Sequence, residues 1–157
     1  MKLYNAFTRR KEELTPIEPG QVGIYVCGVT VYDLSHIGHA RSAIAFDVIR
    51  RYLAFAGYRV RFIKNFTDVD DKIIRRANEE GVSALEVSER YVREYQRDME
   101  ALGVLKPDVE PKATDHVAQM ISLIQCLLAR EVAYVVDGDV YFEVARFPPY
   151  GRLSGKN

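Results

Sequence analysis

One strand–helix–strand unit constrains the fold of this chain more than any other stretch. Val22 to Cys27 is apolar and β-branched, as is typical of a buried strand, and Arg59 to Phe66 predicts a second strand. Between them an apolar repeat predicts a helix from about Gly38 to Ala56, closed by Gly57. Strands joined through a helix pair in parallel with a right-handed crossover, so the unit predicts half of a doubly wound α/β sheet.

The apolar stripe of this first helix is expected to face the sheet. Its members recur at intervals of three and four residues: Ala40, Ile44, Val48, Ile49, Tyr52 and Leu53.

Other elements are predicted on either side of the unit. Residues 2–5 predict a short strand, followed by a charged loop. Thr67 and Asp70 have the spacing of a capping box, and Ser83 begins a long amphipathic helix that ends at Gly103. We expect the core-facing stripe of that helix to be Leu85, Ser88, Val92, Tyr95, Met99 and Leu102.

The last third of the chain predicts a linker, a helix and a hairpin. Lys106–Pro111, with two prolines, is the linker, and Ala113–Glu131 is an amphipathic helix. Cys126 lies off its apolar stripe and is interpreted as a small packed hydrophobe. Asp137-Gly138-Asp139 predicts the hairpin turn. The stripe consists of Val117, Met120, Ile121, Ile124 and Leu128.

Composition limits the class of protein. The 157 residues suit one domain or a piece of a larger protein, and 22 basic residues against 22 acidic ones give no net charge and no general nucleic-acid-binding field. No apolar run approaches the roughly 20 residues that span a bilayer, and no secretory signal opens the chain, so we expect a cytoplasmic protein. The two cysteines have no disulfide-framework spacing.

The turn before the first helix holds two of the three histidines. His36 and His39 lie on one side of the first helical turn, with Gly38 between them. A helix start after a parallel strand presents free N–H groups and a positive dipole end to phosphate. The pattern predicts a nucleotide triphosphate site in which the imidazoles stabilise charge as pyrophosphate leaves. The alternative is a pair of ordinary surface histidines.

Cys27 lies at the carboxyl end of the first strand of the unit, where open parallel sheets bind ligands. The residue pattern leaves three roles open for it: a nucleophile, a metal ligand or an inert thiol. No His, Cys, Asp or Glu follows at close ligand spacing.

Several stretches together resemble class I aminoacyl-tRNA synthetases, in the form carried by cysteinyl-tRNA synthetases. The resemblance extends over essentially the whole chain. The matching stretches are Cys27–Asp33, His36–Arg41, Asn65–Ile73, Gly138–Phe142 and Tyr150–Gly155.

The resemblance implies an enzyme that activates cysteine with ATP and Mg²⁺, releases pyrophosphate and transfers the cysteinyl group to its tRNA. It implies catalytic roles for His36 and His39 at the ATP phosphates. Gly38 would leave room for the nucleotide, and Thr30 and Tyr32 would also bind ATP.

The resemblance also implies a site for the substrate cysteine. Gly28, Thr30 and Thr67 would line it, and Cys27 would be one ligand of a zinc ion that binds the substrate thiolate. A soft metal prefers a thiolate to a hydroxyl, so serine would be rejected without editing.

The chain departs from the family pattern, and the departures indicate how much of a family member it represents. Val29 stands where the family usually has proline, and neither a Lys-Met-Ser-Lys-Ser loop nor further zinc ligands are present. We therefore expect an N-terminal fragment that is inactive or very weak alone. Residues 1–112 would be the first half of a Rossmann-like catalytic domain, and 113–157 the start of an inserted α+β segment. The alternatives are a mycothiol-type cysteine ligase and a non-catalytic nucleotide- or RNA-binding module.

Overall fold

A computed structural model describes residues 1–155. The elements of these residues, in chain order, are β1 (Lys2–Asn5), β2 (Arg10–Glu13), β3 (Gln21–Thr30), α1 (Ile37–Phe55), β4 (Arg59–Thr67), α2 (Asp71–Glu80), α3 (Ala84–Ala101), α4 (Val117–Ala129), β5 (Ala133–Val136) and β6 (Asp139–Phe142), with short 3-10 turns at Thr114–His116 and Val144–Arg146.

The chain divides into two compact units. One comprises Pro16–Asp115, and the other joins the first 15 residues to those from His116 onward. The candidate site residues of the sequence all fall in the first unit.

The predicted parallel unit is confirmed. β3 and β4 pair in parallel from Gln21 opposite Arg59 to Thr30 opposite Thr67, and α1 connects them. The predicted ends of these three elements differ from the observed ends by at most three residues.

The predicted linker at 106–111 is wrong in one respect, because part of it extends the sheet. Val109 bridges to Ile63 and Lys112 to Phe66, both in parallel, and the N–H of Lys64 donates to the Val109 carbonyl at 3.1 Å. Proline lacks an N–H, but it is tolerated where the free side of an edge strand needs no donor. The two prolines therefore obscured an extended segment that joins β4 through two isolated bridges.

The core of the first unit lies where α2 and α3 pack on β4. The ring of Tyr95 meets that of Phe66 edge to face, with centroids 5.7 Å apart. Four of the six residues predicted to face the core from α3 are buried, while Leu85 and Leu102 are exposed. The buried members of this core are Val31, Ala43, Phe66, Ile73, Ala77, Val87, Tyr91, Val92, Tyr95 and Met99.

The stripe predicted for α1 is wrong at three positions and confirmed at one. Ile44, Val48 and Tyr52 are exposed, whereas Leu53 is buried as predicted. The helix also buries Ala43 and Asp47, which lie outside the predicted stripe. Ala40 and Ile49 are only half-buried. Because α1 carries apolar residues on more than one face, its periodicity does not select the face that packs.

Asp47 is tolerated in the buried face of α1 because its carboxylate is fully engaged. One oxygen accepts from Nε of Arg51 at 2.7 Å and the other from the backbone N–H of Leu105 at 3.1 Å.

The start of α2 differs from prediction, and that of α3 agrees with it. Asp70, not Thr67, caps α2 by accepting from the N–H of Lys72 at 2.9 Å, because Thr67 is still paired in β4. The Ser83 capping box is confirmed, with Glu86 as its reciprocal partner.

The second unit contains two hairpins and a helix. β1 is confirmed as a strand, but the predicted charged loop includes β2, its antiparallel partner. The hairpin of β5 and β6 is also confirmed, with Asp137 and Gly138 both at positive φ (51° and 92°) as its two-residue turn requires.

α4 does not bury the stripe predicted for it. Val117, Met120, Ile121 and Ile124 are exposed, and so is Cys126, which was expected to be packed. α4 packs against β5, and this contact covers little of the helix surface.

No helix in the described part of the chain is both long and apolar enough to cross a membrane.

Candidate functional site

The first turn of α1 is closed by its two histidines. Nδ1 of His36, the N-cap residue, accepts from the backbone N–H of Gly38 at 3.0 Å. Nδ1 of His39, at the third helical position, accepts from the backbone N–H of His36 at 3.3 Å. The pair is a capping box in which imidazoles replace the usual hydroxyl and carboxylate.

This cap determines the tautomer of both rings. An imidazole whose Nδ1 accepts a hydrogen bond carries its proton on Nε2, so each ring keeps one Nε2–H donor that the cap does not use. The rings stack with centroids 3.9 Å apart and planes 25° from parallel. The turn thus offers two adjacent N–H donors at a positive helix end, which suits an anionic ligand.

The electrostatics around His39 favour its neutral form. Partial burial is the main reason that the pKa of His39 lies below its usual value. Repulsion from His36, when that ring is protonated, and from Lys64 lowers it further.

Gly38 is required by its contact with the His36 ring. A Cβ at this position would lie 2.8 Å from Cε1 and 3.0 Å from Nδ1 of His36. Any larger residue would displace the ring from its capping position.

The sheet brings the other predicted nucleotide-site residues together at the carboxyl ends of β3 and β4. Thr30 pairs with Thr67, and the N–H of Val31 donates to the Thr67 carbonyl at 3.3 Å. Tyr32 follows directly, and Nζ of Lys72 lies 5.2 Å from the centre of its ring.

A β-bulge interrupts β3 at Cys27 and Gly28. Val26 pairs with Lys64 and Val29 with Phe66, so two residues of β3 lie opposite one residue of β4, Asn65. The thiol of Cys27 is exposed, and Gly28 is half-buried against Asn65. A Cβ on Gly28 would lie 1.4 Å from the Asn65 carbonyl oxygen, so only glycine fits.

Two residues at the site were missed by the sequence analysis. Asn65 accepts from the N–H of Gly28 at 2.8 Å and from the hydroxyl of Tyr25 at 3.0 Å through one oxygen, Oδ1. Lys64 is buried beneath the bulge and donates to the Tyr95 hydroxyl. Each is a polar side chain inside a predicted strand, which is the feature that could have identified it.

Burial perturbs both partners of the Lys64–Tyr95 contact. It lowers the pKa of Lys64, which Glu110 partly offsets, and it raises the pKa of Tyr95 to about 12, with Glu110 adding to that rise. Both residues line a cavity of about 400 Å³ among α1, β4, α3 and the segment 104–110, and neither histidine lines it.

The described residues do not form a zinc site. Among residues 1–155 no group of three or more His, Cys, Asp or Glu side chains lies close enough to hold a metal ion. Zinc takes four ligands in structural sites and three from protein in catalytic ones, so Cys27 alone does not fit a complete site.

Solved structures share this fold. Methionyl-tRNA synthetase of Mycobacterium tuberculosis, in complex with methionyl-adenylate, matches 76% of this chain and 28% of its own with a TM-score of 0.60 and 24% identity. LeuRS of Agrobacterium radiobacter, in a ternary complex with tRNA and LeuAMS, matches 76% of this chain and 16% of its own, with a TM-score of 0.65 and 21% identity. The chain therefore shares its fold with parts of these two proteins.

Curated relatives are much more similar in sequence. A cysteine–tRNA ligase of Syntrophobacter fumaroxidans is 57% identical over 99% of this chain and 32% of its own length. One of Desulfotalea psychrophila is 55% identical over 100% of this chain and 32% of its own. The chain thus spans about a third of the length of these relatives.

The family model described as the class I (C) tRNA synthetase catalytic domain matches residues 13–157, which include the capped helix start, the bulge and the strand ends. Its match extends over most of the chain, and the fold and the relatives agree with it. The chain belongs to the family of class I (C) tRNA synthetase catalytic domains.

Proposed function

We propose that the protein containing this chain is a cysteine–tRNA ligase. It activates cysteine with ATP to cysteinyl-adenylate and then transfers the cysteinyl group to the terminal ribose of its tRNA. The observation that carries the proposal is the pair of histidines that cap α1 through Nδ1 and keep an Nε2–H donor each. The exposed Cys27 thiol in β3 accords with it. The identity of 55–57% to curated cysteine–tRNA ligases over nearly the whole chain supports it.

The proposed ATP site lies at the start of α1. His36 and His39 donate their Nε2–H groups to the phosphates, and Gly38 lets the nucleotide approach the turn. Thr30 and Tyr32, where β3 ends, contact the nucleotide. ATP would enter as its Mg²⁺ complex.

The proposed cysteine site lies beside it. Gly28, Thr30 and Thr67 line the pocket for the amino acid and its adenylate. Cys27 is the residue of this chain that would bind zinc, a soft metal that would select a thiolate over the hydroxyl of serine. A single donor does not complete that site, so we expect this chain alone to hold zinc weakly.

The activation step needs positioning and charge stabilisation from these residues rather than a protein nucleophile. A carboxylate oxygen of cysteine attacks the α-phosphorus in line, an O–P bond forms, and the bond to the pyrophosphate oxygen breaks. Negative charge grows on the phosphate oxygens in that transition state. The two Nε2–H donors of His36 and His39 stabilise it because the cap already holds them in place.

We also propose how the chain relates to the longer protein. Residues 1–112 form the first half of the Rossmann-like domain, and 113–157 begin the insertion. The relatives are about three times as long as this chain. The residues that bind the tRNA, and most of the residues that complete the ATP site, would lie in the remaining two thirds.

Cysteine-dependent exchange of pyrophosphate into ATP tests the proposal. The full-length protein should show exchange with cysteine and none above background with serine. The chain of 157 residues alone should show a very slow rate or none. Absence of exchange in the full-length protein with cysteine, at saturating ATP and Mg²⁺, would refute the proposed activity.

A further inference from the structure

The bulge in β3 changes which residues of that strand share a face. Side chains alternate along a regular strand, so Cys27 and Thr30, three positions apart, would point to opposite faces. The buried residues show that the alternation shifts. Val26 is 6% exposed and Val31 is 1% exposed, although they are five positions apart. One extra residue at the bulge accounts for the shift.

The shift places Cys27 and Thr30 on one face. Val29 packs against the core together with Val31, so Thr30 between them points away from the core. Cys27 follows the buried Val26 and is itself exposed. Both side chains therefore lie on the face of the sheet opposite the core.

A single carboxamide oxygen holds the bulge. Oδ1 of Asn65 accepts the N–H of Gly28, which the bulge removes from the regular ladder, at 2.8 Å. The same oxygen accepts the hydroxyl of Tyr25 at 3.0 Å, which fixes the amide orientation. Gly28 completes the fit, because its missing Cβ lets the backbone approach the Asn65 carbonyl.

We propose that Asn65 is a positioning residue that holds the Cys27–Gly28 bulge and thereby keeps the Cys27 thiol and the Thr30 hydroxyl on the same face. The proposal rests on the proposed function in one respect, namely that both side chains act on the substrate cysteine. Asn65 itself acts only as a hydrogen-bond acceptor. Aspartate at this position should therefore preserve the function of Asn65, because it also has an Oδ1 acceptor. Leucine, which is similar in size but has no acceptor, should not.

The first experiment uses this chain and measures amide hydrogen exchange at Gly28. In Asn65→Leu the Gly28 amide should exchange about 10-fold faster or more, as expected when a hydrogen bond of this kind is lost. Asn65→Asp should restore protection. The N–H of Val31, which donates to Thr67, is the internal reference and should change little in either variant. Unchanged protection of the Gly28 amide in a folded Asn65→Leu chain would show that Asn65 does not hold the bulge.

The second experiment uses the full-length protein and separates the KM for cysteine from kcat and from the KM for ATP. Asn65→Leu should raise the KM for cysteine by about 10-fold, more than it raises that for ATP, and Asn65→Asp should reverse most of the effect. Faster Gly28 exchange with an unchanged KM for cysteine would overturn the positioning role and leave the proposed function intact. If the wild-type protein shows no cysteine-dependent activity, the proposed function fails, and Gly28 exchange still decides whether Asn65 holds the bulge.

A milder variant covers the case in which Asn65→Leu does not fold. Tyr25→Phe removes one donor to Oδ1 and leaves the Gly28 bond in place. It should raise Gly28 exchange and the KM for cysteine in the same direction by about two- to fivefold, since a single exposed hydrogen bond contributes little. Faster Gly28 exchange in this variant with an unchanged KM for cysteine would overturn the positioning role.

Discussion

His36 and His39 cap each other at the start of α1: each ring accepts a backbone N–H through Nδ1, and the rings stack 3.9 Å apart. The same contacts that stabilise the helix start also keep both protons on Nε2. Structural and proposed catalytic roles are therefore carried by different atoms of the same rings, and mutations can separate them.

Substitution of His36 separates the two roles. His36→Ala should lower the free energy of unfolding of this chain by about 1 kcal/mol, the usual cost of losing an N-cap, while His36→Asn should recover most of it. Neither variant has the Nε2–H donor. In the full-length protein both should slow cysteine-dependent exchange by about 10- to 1000-fold. Urea unfolding measures the effect on stability, and cysteine-dependent ATP–pyrophosphate exchange measures the effect on activity. An unchanged rate of pyrophosphate exchange would show that His36 only caps the helix.

The lowered pKa of His39 predicts a loss of stability in mild acid. The folded state favours neutral His39, so its contribution is fully present above the unfolded value of about 6.5. It is lost as the pH falls through the lower folded pKa, because the unfolded chain then binds a proton more readily. His39→Gln keeps an acceptor at the third helical position and does not titrate.

The measurement is the urea midpoint of unfolding of the wild-type chain and of His39→Gln at several pH values between 8 and 5. The wild type should lose more stability over this interval than His39→Gln, with carboxylate effects common to both. Parallel pH profiles would show that His39 is not coupled to folding.

Replacing Gly28 or Gly23 of β3 by alanine should have very different effects on stability. In Gly28→Ala the new Cβ would overlap the Asn65 carbonyl oxygen at 1.4 Å, so the bulge must break, and we expect a loss of about 3 kcal/mol or more, or failure to fold. Gly23→Ala is the matched control, because no atom lies within 4 Å of its Cβ. Its stability should change by less than about 0.5 kcal/mol. Similar thermal unfolding of the two variants would contradict the observed geometry.

The single metal donor predicts weak zinc binding by this chain. After dialysis against metal-free buffer, the isolated chain should retain well below one zinc per molecule, and Cys27→Ser should lower the remainder. Elemental analysis measures the ratio. Stoichiometric zinc in the wild-type chain would mean that residues 1–157 supply further ligands.

The local parts of this protein could be predicted from its sequence. The individual elements β3, α1 and β4, the Ser83 capping box and the β5–β6 hairpin each depend on residues close together in the chain. Their chemistry is set by short-range sterics and hydrogen bonds, which a sequence shows directly.

Faces and long-range pairings could not be predicted in the same way. α1 is apolar on more than one side, so only the position of its neighbours decided that Ala43 and Asp47, rather than Ile44 and Val48, are buried. The edge pairing of Val109 was hidden by prolines that an edge tolerates.

The candidate site shows the same division. The histidine pair, the thiol of Cys27 and the glycines are visible in the sequence because their spacing implies a turn at the end of a strand. Only the tertiary structure made Asn65 part of the site, since the partner of Gly28 lies 37 residues away and is reached only when β4 pairs with β3. Sequence determined which chemical groups are present, and the parallel pairing decided which of them share a face, because one extra residue in one strand reverses the alternation of every side chain that follows.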